Sequence, residues 1–191
     1  GHYQASVDAL QKSLQLQPKV AQSHYVLGGA LKMHNNPDEA IVHFRQAIEI
    51  NPRMAEAHVA LADILITLKK MDEAFQHYEK ARIIQPKLAT AYYGLGMIAD
   101  QKDDYNMALK YYKRAVKYEP GSPIYQCAAA NRLASLDQTQ NARSIYLKAL
   151  KTAPEYPDAL GGLALIYDKT GDYDKAVKKI EPLLKKNILC I

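Results

Sequence analysis

Tryptophan is absent from this 191-residue chain, and phenylalanine and cysteine occur twice each. Cys127 and Cys190 stand far apart and outside any paired motif, which excludes a disulfide framework and a cysteine-based metal site. So sparse a use of cysteine fits a reducing compartment, and a cytoplasmic protein is expected. No apolar stretch approaches the ~20 residues of a membrane-spanning helix, and no leader with a charged start and apolar middle opens the chain. Long alternating runs of Val, Ile and Thr are also missing, so strands are not expected. The net charge of +5 is too mild to point to nucleic acid. With 48% hydrophobic and 24% charged residues, the composition excludes wholesale disorder.

What the chain does have is a period. Pro18, Pro52, Pro86, Pro120 and Pro154 follow one another at 34-residue intervals, each after a run of helix formers where proline stops a helix. Ala40, Ala74, Ala108, Ala142 and Ala176 keep the same step, as do Gly28, Ala62, Gly96, Ala130 and Ala164, and Ser13, Ala47, Ala81, Ala115 and Ala149. Bulky columns run beside them: Leu10, Phe44, Tyr78, Tyr112, Tyr146 and Ile180, then Leu27, Leu61, Leu95, Ala129 and Leu163. Small residues let two helix backbones approach, and large ones on neighbouring turns fill the space beside them. Within a repeat, Leu61, Ile64, Leu65 and Leu68, then Ala74, Tyr78 and Ala81, fall at helical spacing, so each repeat holds two helices. Breaks are expected at Asn35-Asn36-Pro37, Lys69-Lys70, Asp103-Asp104 and Gly171-Asp172, with Asn36 or Asp172 as side-chain caps and Ser122-Pro123 and Tyr156-Pro157 marking further starts.

This pattern resembles the tetratricopeptide repeat (TPR) family over nearly the whole chain. The resemblance implies an all-α fold, a right-handed α-solenoid (superhelix) of antiparallel helix pairs. Residues 1–191 would form a single array, with a half repeat at 1–20 (second helix only) and repeats at 21–54, 55–88, 89–122, 123–156 and 157–190. The native protein is expected to extend further towards its N-terminus. The chain departs from the family pattern at its first column, usually a large aromatic, which holds His24, His58, Tyr92, Gln126 and Leu160. Repeat 123–156 is the least typical, with Ala129 in the leucine column and Thr139 at the turn, and Pro182 interrupts the last helix.

In the resembled family the first helix of each repeat lines a concave groove that takes an extended or helical peptide. Carried onto this chain, the partner-binding set is Tyr25, Val26, Lys32, Glu56, Val59, Asp63, Ile66, Tyr93, Met97, Asp100, Ile124, Asn131, Leu165 and Asp168. Its charges are mainly negative, so the expected partner is a protein or peptide with apolar anchors and basic residues. The carboxylate clamp by which some TPR domains hold the Hsp70 or Hsp90 C-terminus needs Lys, Asn and Arg where this chain has Tyr25, Gly29, Ala60, Thr90 and Gly94, so that partner class is not expected. Lys110, Lys113, Arg114 and Lys117, then Arg143, Lys148, Lys151, Lys175, Lys178 and Lys179, form a basic run on the second helices. It reads either as a solvated outer face or as a surface for an acidic protein or membrane.

No catalytic, cofactor-binding or metal-binding residue is expected. The histidines repeat as structural columns, without the His-x-x-x-His spacing of a metal site. Gly94-Leu95-Gly96 and Gly161-Gly162 lie inside helices, where a phosphate loop has no place. Cys127 is expected in the groove as a small apolar filler. The leading reading is a noncatalytic interaction scaffold. Two alternatives are the substrate-recognition arm of a larger enzyme of glycosyltransferase or sulfotransferase type, and self-assembly by end-to-end stacking through the incomplete first repeat and the apolar tail Ile188-Leu189-Cys190-Ile191.

Overall fold

The structure is a computed structural model describing residues 2–172, Asp174 and Lys178. The expectations placed on Gly1, Tyr173, Lys175, Ala176, Lys179, Ile180, Pro182 and the tail 188–191 lie outside the described residues. The helices are α1 (His2–Leu16), α2 (Ala21–Met33), α3 (Pro37–Ile50), α4 (Ala55–Thr67), α5 (Met71–Ile84), α6 (Ala89–Gln101), α7 (Tyr105–Tyr118), α8 (Pro123–Ser135), α9 (Thr139–Thr152) and α10 (Pro157–Lys169). No strand occurs among the described residues, and the fold is an all-α solenoid of antiparallel helix pairs. Two compact bodies, Gly1–Gly94 and Leu95–Ile191, divide the chain inside α6.

Each even-numbered helix is followed, two residues past its end, by one residue with positive φ. These are Asn35 (59°), Lys69 (59°), Asp103 (57°), Asp137 (57°) and Gly171 (78°). The following N–H bonds to the carbonyl five residues back: Asn36 to Leu31 (3.0 Å), Lys70 to Leu65 (2.8 Å), Asp104 to Ala99 (3.0 Å), Gln138 to Leu133 (2.8 Å) and Asp172 to Tyr167 (2.8 Å). This is a Schellman closure, in which a left-handed residue returns the otherwise orphaned carbonyls of the last turn to a donor. Gly, Asn and Asp accept that conformation at small cost, whereas Lys69 does so against its Cβ. Asp104 caps α7, its carboxylate accepting from the Met107 N–H at 3.0 Å. The expected cap at Asn36 does not form, and Ser122 also makes no side-chain cap bond. Both precede a proline, whose missing N–H leaves one less donor to satisfy, and Asp38 and Glu39 already place negative charge in the first turn of α3.

The core is the set of in-phase columns. Ala40, Ala74, Ala108 and Ala142 are buried, as are Ala47, Ala81, Ala115 and Ala149, and the rings of Phe44, Tyr78, Tyr112 and Tyr146 lie between them. The seam leaves no room for a methyl group at its tightest points. A Cβ on Gly28 would stand 2.9 Å from the Phe44 ring, and one on Gly94 would overlap the Tyr78 ring.

The irregular first column has one function in four repeats. His24 Nε2 donates to the Pro18 carbonyl (3.0 Å), His58 Nε2 to Pro52 (3.2 Å), the Tyr92 hydroxyl to Pro86 (3.0 Å) and Gln126 Nε2 to Pro120 (2.6 Å). All four side chains are buried. In these four repeats the position holds a donor that reaches the carbonyl of the helix-stopping proline, and aromaticity is secondary, while the fifth holds the buried Leu160, which cannot donate. Two of these donors are paired further. Nδ1 of His24 lies 3.0 Å from Nδ1 of His43, and Nδ1 of His58 lies 2.9 Å from Nδ1 of His77. A carbonyl only accepts, so Nε2 of His24 and His58 carries hydrogen. In the neutral pair Nδ1 then accepts from the N–H of His43 or His77, a tautomer assigned from these partners.

Burial, then the neighbouring His58, pushes His77 down to about 4. Burial is also the main cause that lowers His58 and His43. These groups titrate near 6.5 when unfolded, so their contribution to stability is complete above that pH and is lost as the solution is acidified towards pH ~4. Urea midpoints should fall over this window. The variant His58→Tyr/His77→Tyr, which removes both titrating rings and takes the residue types found 34 positions on in the sequence, should flatten the fall. At the turn, Lys69→Gly should raise unfolding free energy by about 0.5–1 kcal/mol in urea titrations at neutral pH, by relieving the left-handed lysine.

Candidate functional site

In the body Gly1–Gly94, α2 and α4 and the start of α6 enclose an open cavity of about 900 Å³. Of the sequence-predicted set, Tyr25, Val26, Lys32, Glu56, Val59 and Asp63 all line it. The floor is apolar: Phe44 reaches it past Gly28, with its ring centroid 5.9 Å from that of Tyr25, and Val59, Ala60 and Leu88 continue it, while Ala30 and Met33 complete the wall. Met33 is 85% exposed, the most exposed bulky apolar residue described, so an apolar ligand has surface here to cover. Ile66 is half-buried one turn beyond Asp63, and Tyr93, on α6, sits close enough to Tyr78 to help raise its pKa.

The charges at this cavity are largely committed. Lys32 Nζ lies 2.9 Å from Asp63 Oδ2, and the Tyr78 hydroxyl donates to Asp63 Oδ1 at 2.7 Å. Gln85 Nε2 donates to Glu56 at 2.9 Å, leaving that carboxylate its charge. Burial raises the Tyr25 pKa first, and Glu56 and Asp63 then add to it.

In the body Leu95–Ile191, a cavity of about 470 Å³ is lined by Asn131, Arg132, Ala134, Ser135, Tyr146, Asp158, Gly162 and Leu165. Here Asn131 and Leu165 are brought together. Met97 and Asp100 are half-buried on α6, Ile124 is exposed at the start of α8, and Asp168 is exposed at the end of α10; none of these four lines the cavity. The groove here is less acidic than expected: Arg132 Nε lies 3.5 Å from Asp100 Oδ1, and its guanidinium lies over the Tyr105 ring. Cys127, expected in the groove, is buried instead, and burial pushes its thiol up to about 12. It keeps the column of Tyr25 and Val59 but is covered, and a thiol held protonated there is inert.

A rule links core and surface. The Tyr112 hydroxyl donates to Asp100 at 2.7 Å, and the Tyr146 hydroxyl donates to Asn131. Asp63, Met97 and Asn131 occupy one column; where Met97 has no acceptor, Asp100 one turn on supplies it. Where the ring is Phe44, with no hydroxyl, the matching position is Gly29, with no acceptor. Each of these three hydroxyls thus has an acceptor on a first helix, as a desolvated polar group requires. Neither the carbonyl donors of the first column nor these hydroxyl acceptors were legible as pairs in the sequence, although both recur at the repeat interval.

Among the described residues no cluster of three or more metal-ligating side chains occurs, and no helix is long and apolar enough to cross a membrane. Asp63→Ala should destabilise the fold by about 1–3 kcal/mol in urea titrations, because it strands the Tyr78 hydroxyl. Tyr78→Phe combined with Asp63→Ala should recover part of that loss, a coupling that a double-mutant cycle measures directly.

Profiles described as Tetratricopeptide repeat match residues 21–54, 53–118 and 133–187. Among curated proteins, none matches. Solved structures share the fold at low identity. Pseudomonas aeruginosa pilF aligns with 97% of this chain and 84% of its own, at 20% identity and a TM-score of 0.86. PilW, described as a widely conserved type IV pilus biogenesis factor, aligns over 95% and 84% at 21% identity and a TM-score of 0.82. YrrB, described as a TPR protein with an unusual peptide-binding site, aligns over 92% and 90% at 19% identity and a TM-score of 0.71.

Proposed function

The chain belongs to the tetratricopeptide repeat family, and from that premise we propose that it is a noncatalytic scaffold whose residues 1–191 form one array holding a peptide or helix of a partner protein against its first helices. A role as a protein-interaction scaffold fits both the fold and the TPR proteins it resembles. The groove reading rests on one observation: an open cavity of about 900 Å³ whose floor is Tyr25, Phe44, Val59, Ala60 and Leu88, rimmed by the ion-paired Lys32 and Asp63 and the charged Glu56. A space of this kind suits two or three apolar side chains of a bound segment, with a Lys or Arg beside Glu56. YrrB's description as a peptide-binding TPR protein supports the same class of ligand.

Peptides selected from a random library against the purified chain test this. Binders should carry apolar anchors with a basic residue nearby. Tyr25→Ala or Val59→Glu should weaken them at least about tenfold, equivalent to about 1.4 kcal/mol, while thermal midpoints hold. Equal binding by both variants, or hydrogen-exchange protection confined to α3 and α5, would remove the groove from the account.

A further inference from the structure

We propose that the outer face of α7 and α9 is a second docking surface, one that takes a short acidic segment of another protein. Lys110, Lys113, Arg114 and Lys117 recur at helical spacing on the side of α7 opposite its buried Ala108, Leu109, Tyr112 and Ala115. All four are exposed, as are Lys148 and Lys151 on α9, which stand one repeat on from Arg114 and Lys117. Neither helix contains an Asp or Glu. None of the six cations has an ion-pair partner among the described residues.

The other repeats show that the fold does not need this charge. At the same four positions α3 carries Val42, Arg45, Gln46 and Glu49, and α5 carries Gln76, Glu79, Lys80 and Ile83. Each of those sets sums to zero, while the α7 set sums to +4. All three helices bury the same columns, and of the compared positions only Gln46 and Glu79 are half-buried rather than exposed. Four like charges three and four residues apart repel one another along a helix, so the row weakens α7 with no structural return, and it matches an anion brought from outside.

The surroundings select the class of anion. The row is closed at one end by Asp103 and Asp104 and at the other by Glu119. A long polyanion lying along α7 meets these carboxylates, whereas a few side chains crossing from α7 to α9 avoid them. The N-terminus of α7, which might otherwise hold a phosphate, is occupied by its own Asp104 cap. Among the described residues no exposed bulky apolar side chain stands between the cations to enter a bilayer: the exposed ones in this body are Tyr105 and Met107 in the first turn of α7, Ile124 on α8 and Leu165 on α10, and Leu147, one repeat on from Lys113, is half-buried. Aspartate and glutamate side chains of a protein segment fit these limits.

The test uses the whole chain with three probes: a labelled deca-glutamate peptide, phosphatidylserine-containing vesicles and a single-stranded oligonucleotide. Deca-glutamate should bind in low salt and weaken steeply as salt rises. Lys110→Gln/Lys113→Glu/Arg114→Gln/Lys117→Glu, which draws its residues from α3 and α5, should lower the affinity at least tenfold. If that variant fails to fold, Lys113→Gln/Lys117→Gln should still lower it several-fold, and Tyr25→Ala should leave it unchanged. No binding of deca-glutamate, equal binding by the row variants, or tighter binding of the vesicles or the oligonucleotide would overturn the proposal.

Discussion

Everything in this chain depends on a ring wedged against a backbone. Phe44, Tyr78, Tyr112 and Tyr146 each project from a second helix into a seam narrowed to Ala or Gly, so tightly that a single methyl group at Gly94 has no space. The contact fixes where the flanking helices stand and therefore which residues of α2 and α4 are left to line the cavity. It also removes a tyrosine hydroxyl from water in three of the repeats, and so obliges each to find an acceptor.

Whatever repeats every 34 residues and acts through size alone was open to sequence reading. The proline ladder, the alanine columns and the bulky column define the helix pairs, and the family identification follows from them. Tyr25, Val26, Lys32, Glu56, Val59 and Asp63 come together as the spacing implied, because neighbouring first helices present equivalent faces. Hydrogen bonds between helices were not open in the same way. His24 and His43 are 19 residues apart, and nothing in either position alone says that their ring nitrogens meet. Arg132 answers Asp100 from the next first helix, which lowers the negative charge anticipated for that part of the face. Cys127 keeps the column of Tyr25 and Val59 yet is buried, because how far its neighbours cover a position cannot be read from spacing.

Repetition also supplies internal comparisons. A buried donor of any chemistry serves the proline carbonyl, as His58, Tyr92 and Gln126 show, so the histidine there is one solution among several. The cations of α7 have no such counterpart: equivalent positions in α3 and α5 are neutral in sum, which separates a local feature from a requirement of the architecture. A column that changes chemistry while keeping its bond reflects the fold, and one that changes its charge in α7 while making no ion pair there among the described residues is free to serve something else.

The acceptors of the tyrosine hydroxyls limit how this surface could diversify. Asp63 and Asn131 line the two cavities, yet each is held to its identity by a ring behind it. Drift at either position has to be accompanied by drift of its tyrosine, as Phe44 with Gly29 illustrates. New specificity would therefore arise most readily at positions such as Val26, Glu56 and Val59, to which no buried hydroxyl is tied, so the evolvable part of the face is smaller than its area.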